Sequence, residues 1–193
     1  MEVYLKKLLI LFILCMVINL YAEDISATTG VGKKVLLHDD GTWEYAEIEK
    51  TTMTGKWNIT EKINPIDDSK TITFILIADQ GKGSYGDPIV LIIRYMSNET
   101  DVFISWGSYL GSEAYVLIRF GSEDAGILEW SLSTTSKATF YPMDSLFFIK
   151  KIFNAERLVA QVTPYSESPI TAIFDIRGFR KAYEPYKDIL KWD

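Results

Sequence analysis

The stretch "IVLIIRYMSNETDVFISW", Ile89 to Trp106, reads as an apolar strand ending in one arginine, a polar turn, and a second strand rich in aromatic and β-branched residues. In an extended chain Val90, Ile92, Arg94 and Met96 point one way and Ile89, Leu91, Ile93 and Tyr95 the other. Both sides are mostly apolar. The pattern predicts a central strand, with one face on a second sheet and the other against a helix. Arg94 is then half-buried and requires a carboxylate or carbonyl partner, because desolvating an unpaired charge is expensive.

The same composition recurs on either side of this stretch. "KWNITEKIN", "KTITFILIAD", "AYVLIRFGS", "ILEWSLST", "RLVAQVTPYS" and "ITAIFDIRG" are strand-like, and Gly, Asp, Asn, Ser or Pro separates most of them. Residues 56–193 are therefore expected to form a mainly β domain, an antiparallel β-sandwich or a strongly curved sheet. Two segments depart from that pattern. Asp144 can cap a helix at about 144–154, with Leu146, Ile149 and Phe153 on one side and Lys150 and Lys151 toward water. Phe179, Tyr183, Tyr186 and Leu190 recur at helical spacing over about 179–191, where Pro185 must interrupt the helix. Both short helices are expected to pack on the sheet.

The N-terminal region reads differently. Lys6 and Lys7 precede an apolar core from Leu8 to Ile18, and Leu20 and Ala22 suit a cleavage before Glu23, so residues 1–22 read as a signal peptide. The apolar run is short for a membrane span of roughly 20 residues. No stable membrane span is expected after cleavage. Cys15 is the only cysteine, and Phe12, Ile13 and Leu14 before it are bulkier than the small residues of a lipid-attachment box. Cleavage is thus the reading in preference to lipid anchoring, and it leaves a mature chain with no disulfide and no thiolate chemistry. Residues 23–55 read as a β-hairpin around Asp40-Gly41, with Val35 to Leu37 on one arm and Trp43 and Tyr45 on the other, followed by a linker.

The formal charge is −6, and the signal segment holds Glu2, Lys6 and Lys7, so the mature chain carries −7. An acidic exported domain excludes nucleic acid as a partner, since that binding needs a basic face. Catalytic residue types are scarce. His38 is the one histidine and sits beside the hairpin turn, which removes Ser-His-Asp and histidine-metal chemistry. The Asp39-Asp40 and Asp67-Asp68 pairs read as turns rather than calcium ligands, and Gly81, Gly83 and Gly86 lack the strand-to-helix context of a phosphate loop. No catalytic residue, metal or cofactor is expected.

What remains is a set of charged residues within strands. Arg119 shares a face with Tyr115 and Leu117, and Asp175 and Arg177 share one with Ile173. Together with Arg94 they make either an internal salt-bridge network or an anion-holding site. Trp106, Tyr109 and Trp130 are candidates to stack on a sugar or to lie in the core. The candidate binding residues are thus Arg94, Trp106, Arg119, Trp130, Asp175 and Arg177.

The order of these segments also resembles a known family. Arg94 closing the first apolar strand, the turn Asn98 to Thr100, Arg119 in "YVLIRF", Trp130 with "KATFYP", and the "FDIRGF" close resemble the VasI/TagO family of type VI secretion-associated proteins over about residues 56–192. The resemblance implies an exported accessory protein of the periplasm or cell envelope, not an enzyme, that acts by binding a protein partner. Tyr95 and the residues near Leu190 stand where that family carries cysteines, so the disulfide it would imply is absent here. The alternative is a β-sandwich module that binds a small ligand or glycan.

Overall fold

The structure is a computed structural model that describes residues 25–28, 34–38, 41–45 and 52–192. The expected signal peptide over 1–22, Cys15 within it, and residues 46–51 of the expected linker lie outside the described residues. The chain divides into two compact units, Met1–Ile48 and Glu49–Asp193.

In the first unit β1 (Ile25–Thr28), β2 (Lys34–Leu37) and β3 (Trp43–Tyr45) form an antiparallel sheet in that order. The expected hairpin is β2–β3, with Leu37 opposite Trp43 and the turn closed by the His38 N–H donating to the Thr42 carbonyl at 3.0 Å. Strand β1 is an addition that the sequence did not signal.

The second unit contains β4 (Thr52–Thr54), β5 (Trp57–Ile63), β6 (Lys70–Lys82), β7 (Pro88–Met96), β8 (Glu99–Ser105), β9 (Ala114–Phe120), β10 (Gly126–Leu132), β11 (Ala138–Phe140), β12 (Arg157–Val162) and β13 (Ile170–Asp175). Its helices are α1 (Ser145–Asn154), α2 (Phe179–Tyr183) and α3 (Lys187–Leu190). The mainly β, antiparallel reading holds. The sheet, however, is not a sandwich. Among the described residues, β6-β7-β8-β11-β10-β9-β12-β13 lie side by side in that order and β13 returns to pair with β6, closing an eight-stranded barrel. Strands β5 and β4 extend the sheet beyond β6.

Strand β6 is what makes closure possible. Its first half pairs with β5, from Ile63–Lys70 to Asn58–Ile75, and with β7, from Ile72–Tyr95 to Ile77–Val90. The register then shifts between Ile77 and Lys82, and Gln80 faces Ile173 of β13. Such an irregularity bends a strand and re-aims its edge. Gly81 permits the approach: its φ is +92°, and a Cβ there would lie 2.0 Å from the Thr171 carbonyl oxygen. Asp79 completes the seam, because its Oδ2 accepts from the Asp175 backbone N–H at 2.9 Å where the ladder ends.

Inside the ring, Phe74, Leu76, Leu91, Ile93, Ile104, Val116, Trp130, Leu158 and Phe174 are buried, and the paired alanines Ala160 and Ala172 make room for the larger rings. Burial contributes roughly 1.5–3 kcal/mol for each large apolar side chain. Ile89, Leu91 and Ile93 of the opening stretch point into this core as expected. Val90, Ile92 and Arg94 are half-buried on the outside, so the strand's second face meets solvent and sheet neighbours rather than a helix. Charges lie outside and apolar groups inside, the reverse of a barrel that spans lipid.

The helices close one end. Asp144 caps α1 as read from the sequence, its carboxylate accepting from the Leu146 N–H at 2.9 Å, and Phe148, Ile149 and Ile152 face the core. The C-terminal segment is broken at Pro185 into α2, a 3₁₀ turn over Glu184–Tyr186, and α3. Its Phe179 ring packs 4.7 Å from Trp57 and 5.3 Å from Phe74, and Tyr183 stacks on Trp192 at 5.7 Å. Trp57 Nε1 donates to the Ile176 carbonyl at 3.2 Å, tying β5 to the chain beyond β13.

Candidate functional site

The structure separates the six residues chosen from the sequence into three groups. Trp106 and Trp130 are core residues, 0% and 1% exposed, and neither can reach a ligand. Trp106 Nε1 donates to Thr139 Oγ1 at 2.9 Å, and Trp130 packs edge-on against Tyr141 at 5.3 Å. Arg94 is bonded across the hairpin. It faces Asp101 in the β7–β8 register, its Nη2 lies 2.6 Å from Asp101 Oδ2, and its guanidinium sits 5.5 Å from the centre of the Phe103 ring. In this place the arginine holds strand register.

Arg119, Asp175 and Arg177 do converge. They line an open basin of ≈ 690 Å³ on the outer face of β6, β9, β12 and β13, at the barrel end that the helices close. Strand parity brings them there, because Arg119 pairs with Val159, Val159 with Ile173, and Ile173 with Gln80, one outward row across four strands. Arg157, paired with Asp175, belongs to the next row toward the strand ends.

The basin has a bonded half and a free half. In the first, Arg177 chelates Asp175 through Nε (2.7 Å) and Nη2 (2.6 Å), and Lys56 Nζ bridges Asp79 (2.7 Å) and Asp175 (3.3 Å). Those contacts hold the Asp175 carboxyl well below the usual carboxylate range, chiefly through Arg177, and raise Arg177 in return. Lys56 is raised mainly by its bond to Asp79. In the second half the guanidinium groups of Arg119 and Arg157, both residues exposed, make no ion pair or hydrogen bond with a described residue. Gly121, two residues beyond Arg119, also lines the basin, and its N–H donates to the Arg157 carbonyl at 2.8 Å.

A second feature occupies the opposite end of the barrel. Three connections meet there, Gly83–Asp87 between β6 and β7, Gly107–Glu113 between β8 and β9, and Thr163–Pro169 between β12 and β13. They are bonded to one another. The Ser84 N–H donates to the buried Ser108 Oγ at 2.7 Å, the Ser84 hydroxyl donates to Glu167 Oε1 at 2.8 Å, and the Tyr165 N–H donates to the Tyr109 carbonyl at 3.0 Å. Each connection presents a tyrosine to solvent: Tyr85 is 103% exposed, Tyr109 54% and Tyr165 66%. Tyr109 and Tyr165 meet edge to face at 6.0 Å. Tyr85 has φ +62° and ψ 13°, a left-handed conformation that a bulky residue rarely adopts.

Sequence reasoning named Tyr109 but not Tyr85 or Tyr165, and it missed Arg157, Lys56 and Asp79 in the basin. Arg157 lies two residues from Val159, which β12 pairs with Arg119, but that pairing is visible only in the fold.

No family model matches the sequence, and no curated protein does. Among solved structures, the crystal structure of invasion associated protein B from Bartonella henselae is similar, with a TM-score of 0.53 and 13% sequence identity, over 73% of this chain and 98% of that one. At that identity the likeness is one of fold, a β-rich barrel.

Proposed function

We propose that this is an exported, non-catalytic accessory protein of the periplasm or cell envelope, associated with type VI secretion, that binds a protein partner through the tyrosine-bearing end of its barrel. The observation that carries this reading is Tyr85, wholly exposed in a left-handed conformation on connections that are hydrogen-bonded together. Backbone strain of this kind costs about 1–3 kcal/mol and is found where a side chain must be presented rather than packed. Tyrosine offers a large, rigid, amphipathic contact surface with few rotamers to immobilise, which is why it dominates protein-binding loops. The filled barrel interior leaves the outer surface as the place for binding. The resemblance of the segment order to the VasI/TagO family supports the secretion assignment, and a barrel like that of a protein named for invasion is a scaffold on which such end loops can carry function.

The test is site-specific photo-crosslinking in the producing cell. A benzophenone amino acid at position 85 or 109 is expected to capture a discrete envelope protein, whereas the same probe at position 127, exposed on β10, captures none. Equal capture patterns from all three positions would refute the assignment.

A further inference from the structure

The basin is not needed to explain partner binding, which the reading above places at the other end of the barrel, and its free half has no structural task. Lys56, Arg119, Arg157 and Arg177 face Asp79, Glu156 and Asp175, four cations against three carboxylates, a local formal charge of +1 in a chain of −6. Two of those cations and two of the carboxylates are already joined in the bonded half. The guanidiniums of Arg119 and Arg157 are left without a partner among the described residues, on adjacent strands of one outer face. Residues diagonal to one another on neighbouring strands are within joint reach of long side chains.

We propose that Arg119 and Arg157 together bind the carboxylate of a small polyhydroxylated acid, a sugar acid. Paired guanidinium forks match a planar carboxylate through parallel charge-assisted hydrogen bonds. The single net charge selects a monoanion: a phosphate dianion would add a second negative charge beside Glu156, Asp79 and Asp175. The remaining lining determines what the carboxylate is attached to. Gln80, Ser122 and Glu156 offer donors and acceptors for hydroxyl groups, and among the described residues Ile173 is the one large apolar side chain there and no aromatic ring lines the basin. The ligand is therefore held by hydrogen bonds rather than by stacking, and ≈ 690 Å³ lies within the range of small-molecule sites, about 300–1,000 Å³. Asp175, Arg177, Asp79 and Lys56 act as a fixed wall.

The experiment is calorimetric titration of the mature chain with D-glucuronate, D-glucose and inorganic phosphate, on wild type, Arg119→Gln, Arg157→Gln and Arg94→Gln, with circular dichroism as the check of folding. Glucuronate is expected to bind, and glucose and phosphate to bind at least about tenfold more weakly. Each basin substitution should weaken glucuronate by about tenfold or more, the loss of a charge-assisted hydrogen bond. Arg94→Gln should leave it unchanged. No glucuronate binding, equal binding of glucose, tighter binding of phosphate, or an affinity unmoved in folded Arg119→Gln and Arg157→Gln would each overturn the proposal. None of these results bears on crosslinking at position 85, so the two assignments stand or fall separately.

Discussion

Replacing Gly81 with alanine should open the barrel, and two other glycines allow the reason to be isolated. Gly81 combines a φ of +92° with a backbone contact, since its Cβ would fall 2.0 Å from the Thr171 carbonyl oxygen and 3.0 Å from the Ala172 Cα. Gly86 has the strain without the contact, with φ +84° and nothing within 4 Å of a built Cβ. Gly83 has the contact without the strain, being extended at φ −72° with a Cβ that would meet the Trp106 carbonyl at 2.1 Å. A left-handed alanine costs roughly 1–2 kcal/mol. Forcing a methyl against backbone costs about 1–3 kcal/mol through displaced strands, and a ladder hydrogen bond lost at the seam adds about 1 kcal/mol. Gly86→Ala should therefore lose about 1–2 kcal/mol, Gly83→Ala about 1–3, and Gly81→Ala about 3–6. Urea unfolding measures all three as midpoint shifts at constant m. If Gly81→Ala were no less stable than Gly86→Ala, the close approach of β6 to β13 would not be what holds the ring shut.

Other predictions concern single contacts. Arg94 and Asp101 are 31% and 37% exposed, so a double-mutant cycle of Arg94→Met with Asp101→Asn should give a coupling of about 0.5–1 kcal/mol, well below the roughly 3–5 of a buried pair. The half-buried arginine with a carboxylate partner expected from the sequence is what the structure shows, and a coupling near the buried value would mean that the pair is more fully desolvated than its exposure indicates. Tyr85→Gly relieves about 1–3 kcal/mol of backbone strain and gives the unfolded chain about 0.5–1 kcal/mol more entropy, so thermal stability should be unchanged or rise by up to about 2.5 kcal/mol. Co-purification of the partner should fall in the same variant; retention of the partner would remove Tyr85 from the interface. The Asp175 carboxyl is depressed in the folded state chiefly by Arg177, so the unfolded chain binds the extra proton as pH falls. Its contribution is complete above the ordinary carboxylate value and is lost only as pH drops below that toward the lower native one. Wild type and Asp175→Asn should thus differ in urea midpoint at pH 7 and converge in strong acid; a difference that persisted unchanged there would mean the ion pair is not its source.

Much of the fold was legible, because alternation and turn residues are local. All eight strand-like segments of the main domain became β5 to β10, β12 and β13, and Asp144 and Pro185 set the helix limits as their chemistry requires. The short β4 and β11, three residues each, carry too little pattern to register. Closure was not legible at all. "DQGK" at the end of β6 reads as loop, yet its glycine and register shift are what bring β13 into place. The candidate site was half legible for a related reason. Parity showed that Arg119, Asp175 and Arg177 could face outward, but pairing order determines which outward residues become neighbours. Arg94, equally outward, lies on β7, which pairs with β6 and β8 and has no strand in common with Arg119 on β9. Trp106 and Trp130 were drawn inward by the area they bury.

The exchange of partners along β6 also sets an order of assembly. The β6–β7 and β7–β8 pairs join segments close in sequence, whereas Asp79 meets Asp175 across 96 residues and Trp57 meets the Ile176 carbonyl across 119. Bringing together ends that far apart costs about 4 kcal/mol of chain entropy before any contact rewards it. The hairpins should thus form early and the seam last. Until β13 arrives, the far half of β6 is a bare edge able to pair with any other strand. That edge stays open until β13, Ile170–Asp175, has been synthesised and has docked.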